Sequence, residues 1–279
     1  MVKTRRVEYR ADGRVMIGHL AWPTGDGLRP GVLIGHEGTG LNDFQRERAD
    51  RLAERGYVAF AMDYHGGRRF SDPAEMMSQL EPLLGDPDRM REIGRAALDV
   101  LCGEPRTDAS QIAAIGYGAG GTIALELGRD GVDLRAIAAV NPVLATVRPQ
   151  DSANIDCPVL VCVGSEDPMA PPERRRAFAD EMQAADLDWQ LIIYGGAKHA
   201  FHHPPINADG SLFTAGAHQQ PVVVPGVGYH HLHAQRSWRA ILDLLDEVFC
   251  SPTSKGHESS TCWPAGGAPK QSRPESSSK

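Results

Sequence analysis

The sequence predicts an α/β protein with a doubly wound, mostly parallel sheet and helices on both faces. Short apolar runs typical of strands alternate with stretches whose apolar residues recur at helical spacing. Several of the strand runs, such as residues 159–163, lack alternating polar residues, which is typical of strands covered on both faces. Repeated strand–helix units favour parallel strands with right-handed crossovers. We therefore expect one α/β domain over residues 1–250.

The predicted strands begin with a hairpin. Residues 7–10 and 15–22 are strand-like runs, and the turn sequence Ala11-Asp12-Gly13 separates them. The remaining strands are predicted at residues 32–34, 57–62, 112–115, 136–140, 159–163 and 189–194.

Helices are predicted between these strands. The first has Asn42 or Asp43 as its N-cap and extends to Arg55, and Gly56 ends it. The next is predicted from an apolar face made of Ile93, Ala97, Val100 and Leu101. Further helices are predicted at residues 119–129, 172–185 and 233–249, the last with Trp238, Ile241, Leu242, Leu245 and Val248 on one face.

Three segments fall outside this pattern. Residues 65–87 form a variable stretch after the second core strand, and residues 204–228 resemble a surface insertion. Both are expected to shape a substrate pocket. Residues 251–279 are rich in Ser, Pro, Gly and Lys and have almost no apolar content, so a disordered tail is predicted there.

Composition excludes several classes of protein. The chain has 279 residues, 41% of them hydrophobic, and a net charge of −7, which argues against non-specific binding of nucleic acid. No apolar run reaches the roughly 20 residues of a membrane span, and no apolar segment follows the basic amino terminus. The five cysteines are scattered and form no CxxC pair. We expect a cytoplasmic protein, monomer or homodimer, that acts on a small molecule without a nucleic-acid or membrane partner.

Polar residues at the carboxyl ends of the predicted strands mark the candidate site, because ligands of open α/β sheets bind there. A glycine-rich turn at residues 116–121 is followed along the chain by Asp167 and then by His199. This is the order of the catalytic triad in α/β-hydrolases, in which a nucleophile turn precedes the acid and the histidine.

Several motifs together resemble the dienelactone hydrolase family. They are HEGTGLND at residues 36–43, the helix from Arg46 to Ala53, GYGAGG at 116–121, Asp167-Pro168, KHAF at 198–201 and Arg236-Ser237-Trp238. The similarity extends from about residue 15 to residue 249. It implies an α/β-hydrolase fold and hydrolysis of lactones and esters by a cysteine nucleophile within Gly-x-Cys-x-Gly-Gly.

The chain departs from that pattern at the nucleophile, because Gly118 occupies its position. Glycine has no side chain to attack a carbonyl, so no acyl-enzyme forms there. Three interpretations stay open: a nucleophile replaced by an inactivating change, an enzyme that works with its remaining base, and a ligand-binding relic without activity.

The remaining groups still predict chemistry. Asp167 orients His199, which acts as a general base towards water or substrate. The Ala119 amide and an amide near Glu37 or Gly38 are candidate oxyanion donors. Glu37 is a candidate acid or base, or else a loop carboxylate paired with an arginine. Such a site suits hydrolysis and also the enolate chemistry of a cyclase, isomerase or lyase.

The predicted substrate-binding residues surround these groups. Arginines bind the substrate carboxylate in the family, and the family arginine four positions after the histidine falls on His203 here. For His36 a structural hydrogen bond, and for Arg68 and Arg69 a solvent-facing role, are open alternatives. The full predicted set is His36, Tyr64, Arg68, Arg69, Tyr117, His202 and His203.

Two rival sites are considered and set aside. Residues 116–121 match the dinucleotide fingerprint GxGxxG, but the next strand ends at Val140-Asn141-Pro142 without the carboxylate that binds ribose. A histidine-rich segment suggests zinc, yet no Asp or Glu lies at ligand spacing to it. We therefore expect neither a cofactor nor a metal. The histidines concerned are His199, His202, His203, His218, His230, His231 and His233.

Overall fold

A computed structural model of the chain describes residues 1–205 and 225–250. The predicted tail at residues 251–279 and most of the predicted insertion at 204–228 lie outside the described residues.

The described strands form one sheet of eight strands in the order β1-β2-β4-β3-β5-β6-β7-β8. The pairs β1–β2 and β2–β4 are antiparallel, and all other neighbouring strands are parallel. The predicted opening hairpin and the mostly parallel sheet are thus confirmed. The strands are β1 (Val2–Ala11), β2 (Arg14–Pro23), β3 (Arg29–Gly35), β4 (Val58–Ala61), β5 (Thr107–Tyr117), β6 (Ala136–Val140), β7 (Val159–Gly164) and β8 (Trp189–Tyr194).

Six α-helices lie between or after the strands within the described residues. Two of them differ from the prediction: α2 lies inside the stretch predicted to be variable, and α6 starts two residues before its predicted start. A short 3-10 helix, Pro149–Asn154, follows β6 and is absent from the sequence prediction. The helices are α1 (Asp43–Glu54), α2 (Pro73–Leu84), α3 (Pro87–Cys102), α4 (Ala119–Arg129), α5 (Pro172–Ala184) and α6 (His231–Cys250).

Helix α2 is the main correction to the predicted elements. Its N-cap is Asp72, whose side chain accepts a hydrogen bond from the Glu75 amide, and Pro73 occupies the first turn, where its missing N–H costs nothing. Pro82 lies inside the helix. Since proline disfavours a helix interior, this residue obscures the helical pattern in the sequence.

The core has two layers, one on each face of the sheet. Helices α1 and α6 cover one face, where Phe44, Leu52 and Ile241 are buried. Helices α2 to α5 cover the other face, with Ile123 and Phe178 among the buried residues. Burial on both faces explains why the central strands are uniformly apolar.

The parallel strands bring their carboxyl ends to one edge of the sheet. Gly35 at the end of β3 pairs with Gly116 of β5, and Tyr117 pairs with Val140 at the end of β6. The loops that follow these strands therefore meet, which places the predicted site residues at a common edge. No helix in the described ranges is long and apolar enough to cross a membrane.

Candidate active site

The turn between β5 and α4 is built around Gly118. Its φ of 55° and ψ of −124° are unfavourable for residues with a side chain. The Gly118 amide donates to Val140 O at 2.9 Å, and its carbonyl accepts from the Gly121 amide at 3.0 Å. A Cβ atom built on Gly118 would lie 3.5 Å from Cα and Cγ of Glu37, an ordinary van der Waals contact. The position therefore has room for a side chain beside Glu37.

Close contact between backbones fixes this turn. A Cβ atom on Gly120 would overlap the Gly35 carbonyl carbon, so only glycine allows the first turn of α4 to pack on β3. The Gly120 amide also donates to His36 O at 2.9 Å. These contacts hold the loop after β3 against the N-terminus of α4.

Two backbone amides at this junction are unpaired among the described residues. In residues 1–205 and 225–250, neither the Ala119 amide nor the Gly38 amide donates a hydrogen bond to another residue. Ala119 is the first residue of α4, where the helix dipole favours negative charge. Both amides have the chemistry of oxyanion donors.

Asp167 and His199 form a hydrogen-bonded pair. His199 Nδ1 lies 3.0 Å from both carboxylate oxygens of Asp167. The Asp167 side chain is fully buried, whereas 22% of the His199 side chain is exposed. Burial raises the pKa of Asp167, but hydrogen bonds from His199, Met169 and Asn141 outweigh burial and leave the pKa below its usual value. Asp167 is thus an ionised partner that can fix the His199 tautomer.

The loops after β7 and β8 position this pair. The Met169 amide donates to Asp167 Oδ1 at 2.8 Å. The His199 amide donates to Gly226 O at 2.9 Å, and His199 forms a parallel bridge with Val227. The histidine is therefore held by the chain that immediately precedes α6.

Glu37 pairs with histidines rather than with an arginine. His202 Nε2 lies 2.7 Å from Glu37 Oε1, and His203 Nε2 lies 3.9 Å from Glu37 Oε2. Gln45 of α1 also donates to Glu37 Oε2. Burial raises the pKa of the Glu37 carboxyl, but His203 and His202 outweigh burial and lower the pKa to about 2. The arginine alternative considered from the sequence is wrong.

Asn141 joins the two pairs. Its Nδ2 donates to Asp167 Oδ2 at 2.7 Å, and its Oδ1 lies 2.9 Å from His202 Nδ1. It is fully buried directly after β6 and has a φ of 51°. Sequence reasoning missed Asn141 as a site residue. Its place at the end of a core strand, beside Gly118, is the signal that would have identified it.

His36 and Tyr64 lie behind the loop that carries Glu37 and Gly38. His36 is fully buried, and its Nδ1 donates to Glu37 O at 2.5 Å. The Tyr64 hydroxyl donates to His36 O at 2.9 Å, and the two rings stack with centroids 3.8 Å apart. Both side chains are buried, which suits a supporting role for both residues.

Asp63 and His65, which follow β4, complete this support. Asp63 accepts hydrogen bonds from the amides of Ile17, His65 and Gly67. His65 Nε2 donates to Gly38 O at 3.0 Å. Burial lowers the pKa of His65 to about 3, so its ring is neutral at physiological pH. The loop that presents the Gly38 amide is therefore held from behind.

The remaining predicted binding residues lie in different settings. The buried Tyr117 ring stacks on His202, with centroids 4.8 Å apart. His203 Nε2 lies 3.3 Å from Asn42 Oδ1. Arg68 and Arg69 are exposed, and Arg68 pairs with Glu75 of α2 at 2.7 Å.

Other reactive groups of the described chain do not form a second centre. No group of three or more His, Cys, Asp or Glu side chains in residues 1–205 and 225–250 is arranged to hold a metal ion. Cys162 is fully buried in β7, and burial raises the pKa of its thiol to about 12. It is a small core residue. His218 lies outside the described residues.

Comparisons with known proteins agree with this architecture. The chain is 40% identical to the solved structure named m3DLH, with a TM-score of 0.79 over 89% of this chain and 99% of that chain. It is 35% identical to a dienelactone hydrolase-like promiscuous phosphotriesterase from metagenomic libraries, with a TM-score of 0.78 over 88% of this chain and 98% of that chain.

A sequence relative and a family model point in the same direction. A protein of Bradyrhizobium sp, assigned by name as a 2-oxo-3-(5-oxofuran-2-ylidene)propanoate lactonase, is 28% identical over 207 residues, or 70% of this chain and 83% of that protein. The model of the dienelactone hydrolase family matches residues 16–249. The fold, the order of the site residues and this match together show that the chain belongs to the dienelactone hydrolase family.

Proposed function

We propose that this protein hydrolyses a lactone or carboxylic ester, with water as the nucleophile and His199 as the general base. One observation carries the proposal: a partly exposed imidazole is paired through Nδ1 with a buried, ionised carboxylate. Family membership and the name of the lactonase relative support the substrate class. Gly118 offers no nucleophilic side chain, so the attacking oxygen comes from solvent.

The proposed reaction follows from the groups present. His199 Nδ1–H donates to Asp167, which leaves Nε2 to take a proton from water. The water oxygen forms a bond to the carbonyl carbon, and the carbonyl oxygen becomes an oxyanion held by the Ala119 and Gly38 amides. The intermediate then expels the alkoxide, which receives the proton from His199. In a lactone this alcohol stays attached to the acid product.

Three alternatives share the same scaffold. Room for a Cβ atom at position 118 suits a covalent hydrolase whose nucleophile has been replaced by glycine. A ligand-binding relic would keep the pocket but show no turnover. Enolate chemistry uses the same base and amides, with a carbon acid of the substrate in place of water.

A substrate panel with His199→Ala tests the base. The panel contains lactones and aryl esters, and a phosphotriester because a 35% identical chain is a promiscuous phosphotriesterase. The variant is expected to lose about 10²–10⁴-fold in kcat/KM, the usual contribution of a general base. His231→Ala, an exposed histidine of α6, is the matched control and should retain activity. Unchanged kinetics in His199→Ala would refute the base, and no turnover of any substrate by the parent would favour the relic.

Gly118→Cys tests the proposed absence of covalent catalysis. In this variant the introduced thiol attacks the ester, the alcohol leaves, and a thioester to that thiol forms before water releases the acid. We expect a burst of alcohol and an intact mass raised by one acyl group. The parent protein should show neither signal. An acyl adduct on the parent would contradict the water mechanism.

A further inference from the structure

Four buried side chains form a continuous row across the site. Glu37 Oε1 lies 2.7 Å from His202 Nε2, His202 Nδ1 lies 2.9 Å from Asn141 Oδ1, and Asn141 Nδ2 lies 2.7 Å from Asp167 Oδ2. Each contact has hydrogen-bond length, so each needs one donor and one acceptor. The number of protons in the row can therefore be counted.

Asp167 sets the direction of the hydrogen bond at one end of the row. Its carboxylate also faces two other donors, the Met169 amide and His199 Nδ1, and both favour the ionised form. Asn141 must then direct its NH₂ group towards Asp167 and its carbonyl oxygen towards His202. As a result, His202 Nδ1 carries a proton.

The contact between His202 and Glu37 then needs a further proton. A neutral His202 protonated at Nδ1 has only a lone pair at Nε2, and an ionised Glu37 would face it with a second lone pair at 2.7 Å. Rotating the Asn141 amide by 180° moves the same conflict to Asp167, at 2.7 Å. Every arrangement with two carboxylates and a neutral His202 leaves two acceptors in contact.

Gln45 limits where that proton can be. The Asn42 amide donates to Gln45 Oε1 at 3.1 Å, so the Gln45 amino group faces Glu37 Oε2. Oε2 is therefore an acceptor, and the proton lies between Glu37 Oε1 and His202 Nε2.

We infer that the Glu37–His202 pair holds one proton between its two side chains at neutral pH and is electrically neutral, and that Asn141 is the positioning residue that links this pair to Asp167 and His199. A bare Glu37 carboxylate beside the Gly118 turn would repel an oxyanion held by the Ala119 amide. The neutral pair removes that repulsion. This role rests on the proposed function, whereas the proton count does not.

Burial lowers the pKa of His202 to about 4 and contact with Glu37 opposes this shift, so the charge of the pair is assigned from its hydrogen-bond geometry. His202 faces Glu37 from the loop after β3, the Phe44 ring from α1, the Tyr117 ring from β5, and His199 and His203 from its own segment. Burial raises the pKa of Tyr117 to about 12, so that phenol is neutral. Glu37 is thus the carboxylate in direct contact with His202 among the described residues.

Nitrogen NMR of histidine-labelled protein tests the count directly, without any activity. We expect both ring nitrogens of His202 to carry protons at pH 7 beside an ionised Glu37 carboxylate. In Glu37→Gln the amide can donate to Nε2, so His202 should become singly protonated. A singly protonated His202 beside an ionised Glu37 in the parent would overturn the inference.

The dependence of kcat/KM on pH tests whether the Glu37–His202 pair is neutral. The acid limb of this profile is the fall in kcat/KM at low pH. Glu37→Gln replaces the neutral pair by a neutral amide beside a neutral His202, so the local charge does not change. The acid limb should therefore stay at the same pH, whatever the effect of the substitution on the rate. His202→Gln leaves Glu37 uncompensated, which favours protonated His199 and should move the limb to higher pH. The opposite pattern, a lower limb in Glu37→Gln and no shift in His202→Gln, would show an anionic pair and refute the inference. If NMR confirms the pair but no variant turns over substrate, the proposed function fails and the proton count stands.

Discussion

Two carboxylate–imidazole pairs at one sheet edge differ in whether the imidazole reaches solvent. In Asp167–His199 the carboxylate is buried and the imidazole is 22% exposed. In Glu37–His202 the imidazole is only 2% exposed, and α1 holds the carboxylate through Gln45. An imidazole in contact with solvent can exchange a proton with a substrate, whereas a buried one needs a compensating charge whenever it is protonated. Burial, more than residue type, separates a candidate base from a candidate supporting pair.

The largest effect that would sharpen this comparison comes from Asp167→Asn. An asparagine can donate to His199 Nδ1, which moves the histidine proton to Nε2 and removes the base. We expect kcat to fall by about 10³–10⁴-fold with little change in KM. Substrate kinetics of the purified variant measure the change.

Asp50→Asn provides the matched control, because Asp50 of α1 also pairs with an imidazole, that of His19 of β2, at 2.8 Å. This control should keep its activity within a few fold. Equal losses in the two variants would show that the effect is structural, and the comparison between the two pairs would then fail.

The sequence predicts the exposed pair better than the buried one. Asp167 and His199 follow consecutive core strands, and their order along the chain matches a known triad order. The Glu37–His202 contact joins residues 165 positions apart, and no local pattern connects them. Only the folded sheet brings these two side chains together.

The helices and strands also divide into those that a local sequence pattern predicts and those that it does not. The bounds of α4, β6 and β8 agree with their predictions because each is a clean apolar run or has a glycine turn at its start. Helix α2 was missed because Pro82 interrupts its pattern, and packing on the core holds it despite that proline. Tertiary contacts determine whether such a helix forms, and a short stretch of sequence does not reveal them.

A smaller effect than that of Asp167→Asn is expected on the free energy of unfolding at acid pH, through the buried Glu37–His202 pair. The folded-state pKa of Glu37 is about 2, below the ordinary value of 4.5, so the ionised form stabilises the fold. This contribution is present above pH 4.5 and is lost as the pH falls towards 2. The shift corresponds to about 3 kcal/mol in the free energy of unfolding. Urea unfolding at a series of pH values should show it in the parent.

Glu37→Gln removes this titration, so the difference in unfolding free energy between parent and variant should shrink as the pH falls from 4.5 to 2. Glu81→Gln, an exposed residue of α2, is the control and should follow the parent. A constant difference between parent and Glu37→Gln over this range would mean that Glu37 is not held ionised by its histidine neighbours, and the buried pair would not differ from an ordinary surface carboxylate.

The smallest effect concerns the turn at Gly118, beside Glu37. Gly118→Ala places a Cβ atom at 3.5 Å from Glu37, an ordinary contact, so backbone strain at φ 55° is its main cost. We expect about 1–3 kcal/mol of destabilisation by urea unfolding. Gly13→Ala at φ 67°, with no atom within 4 Å, is the control for strain alone and should cost about 1–2 kcal/mol. A loss well above about 3 kcal/mol in Gly118→Ala alone would mean that this turn cannot hold a side chain, and the interpretation of position 118 as a nucleophile position would fail.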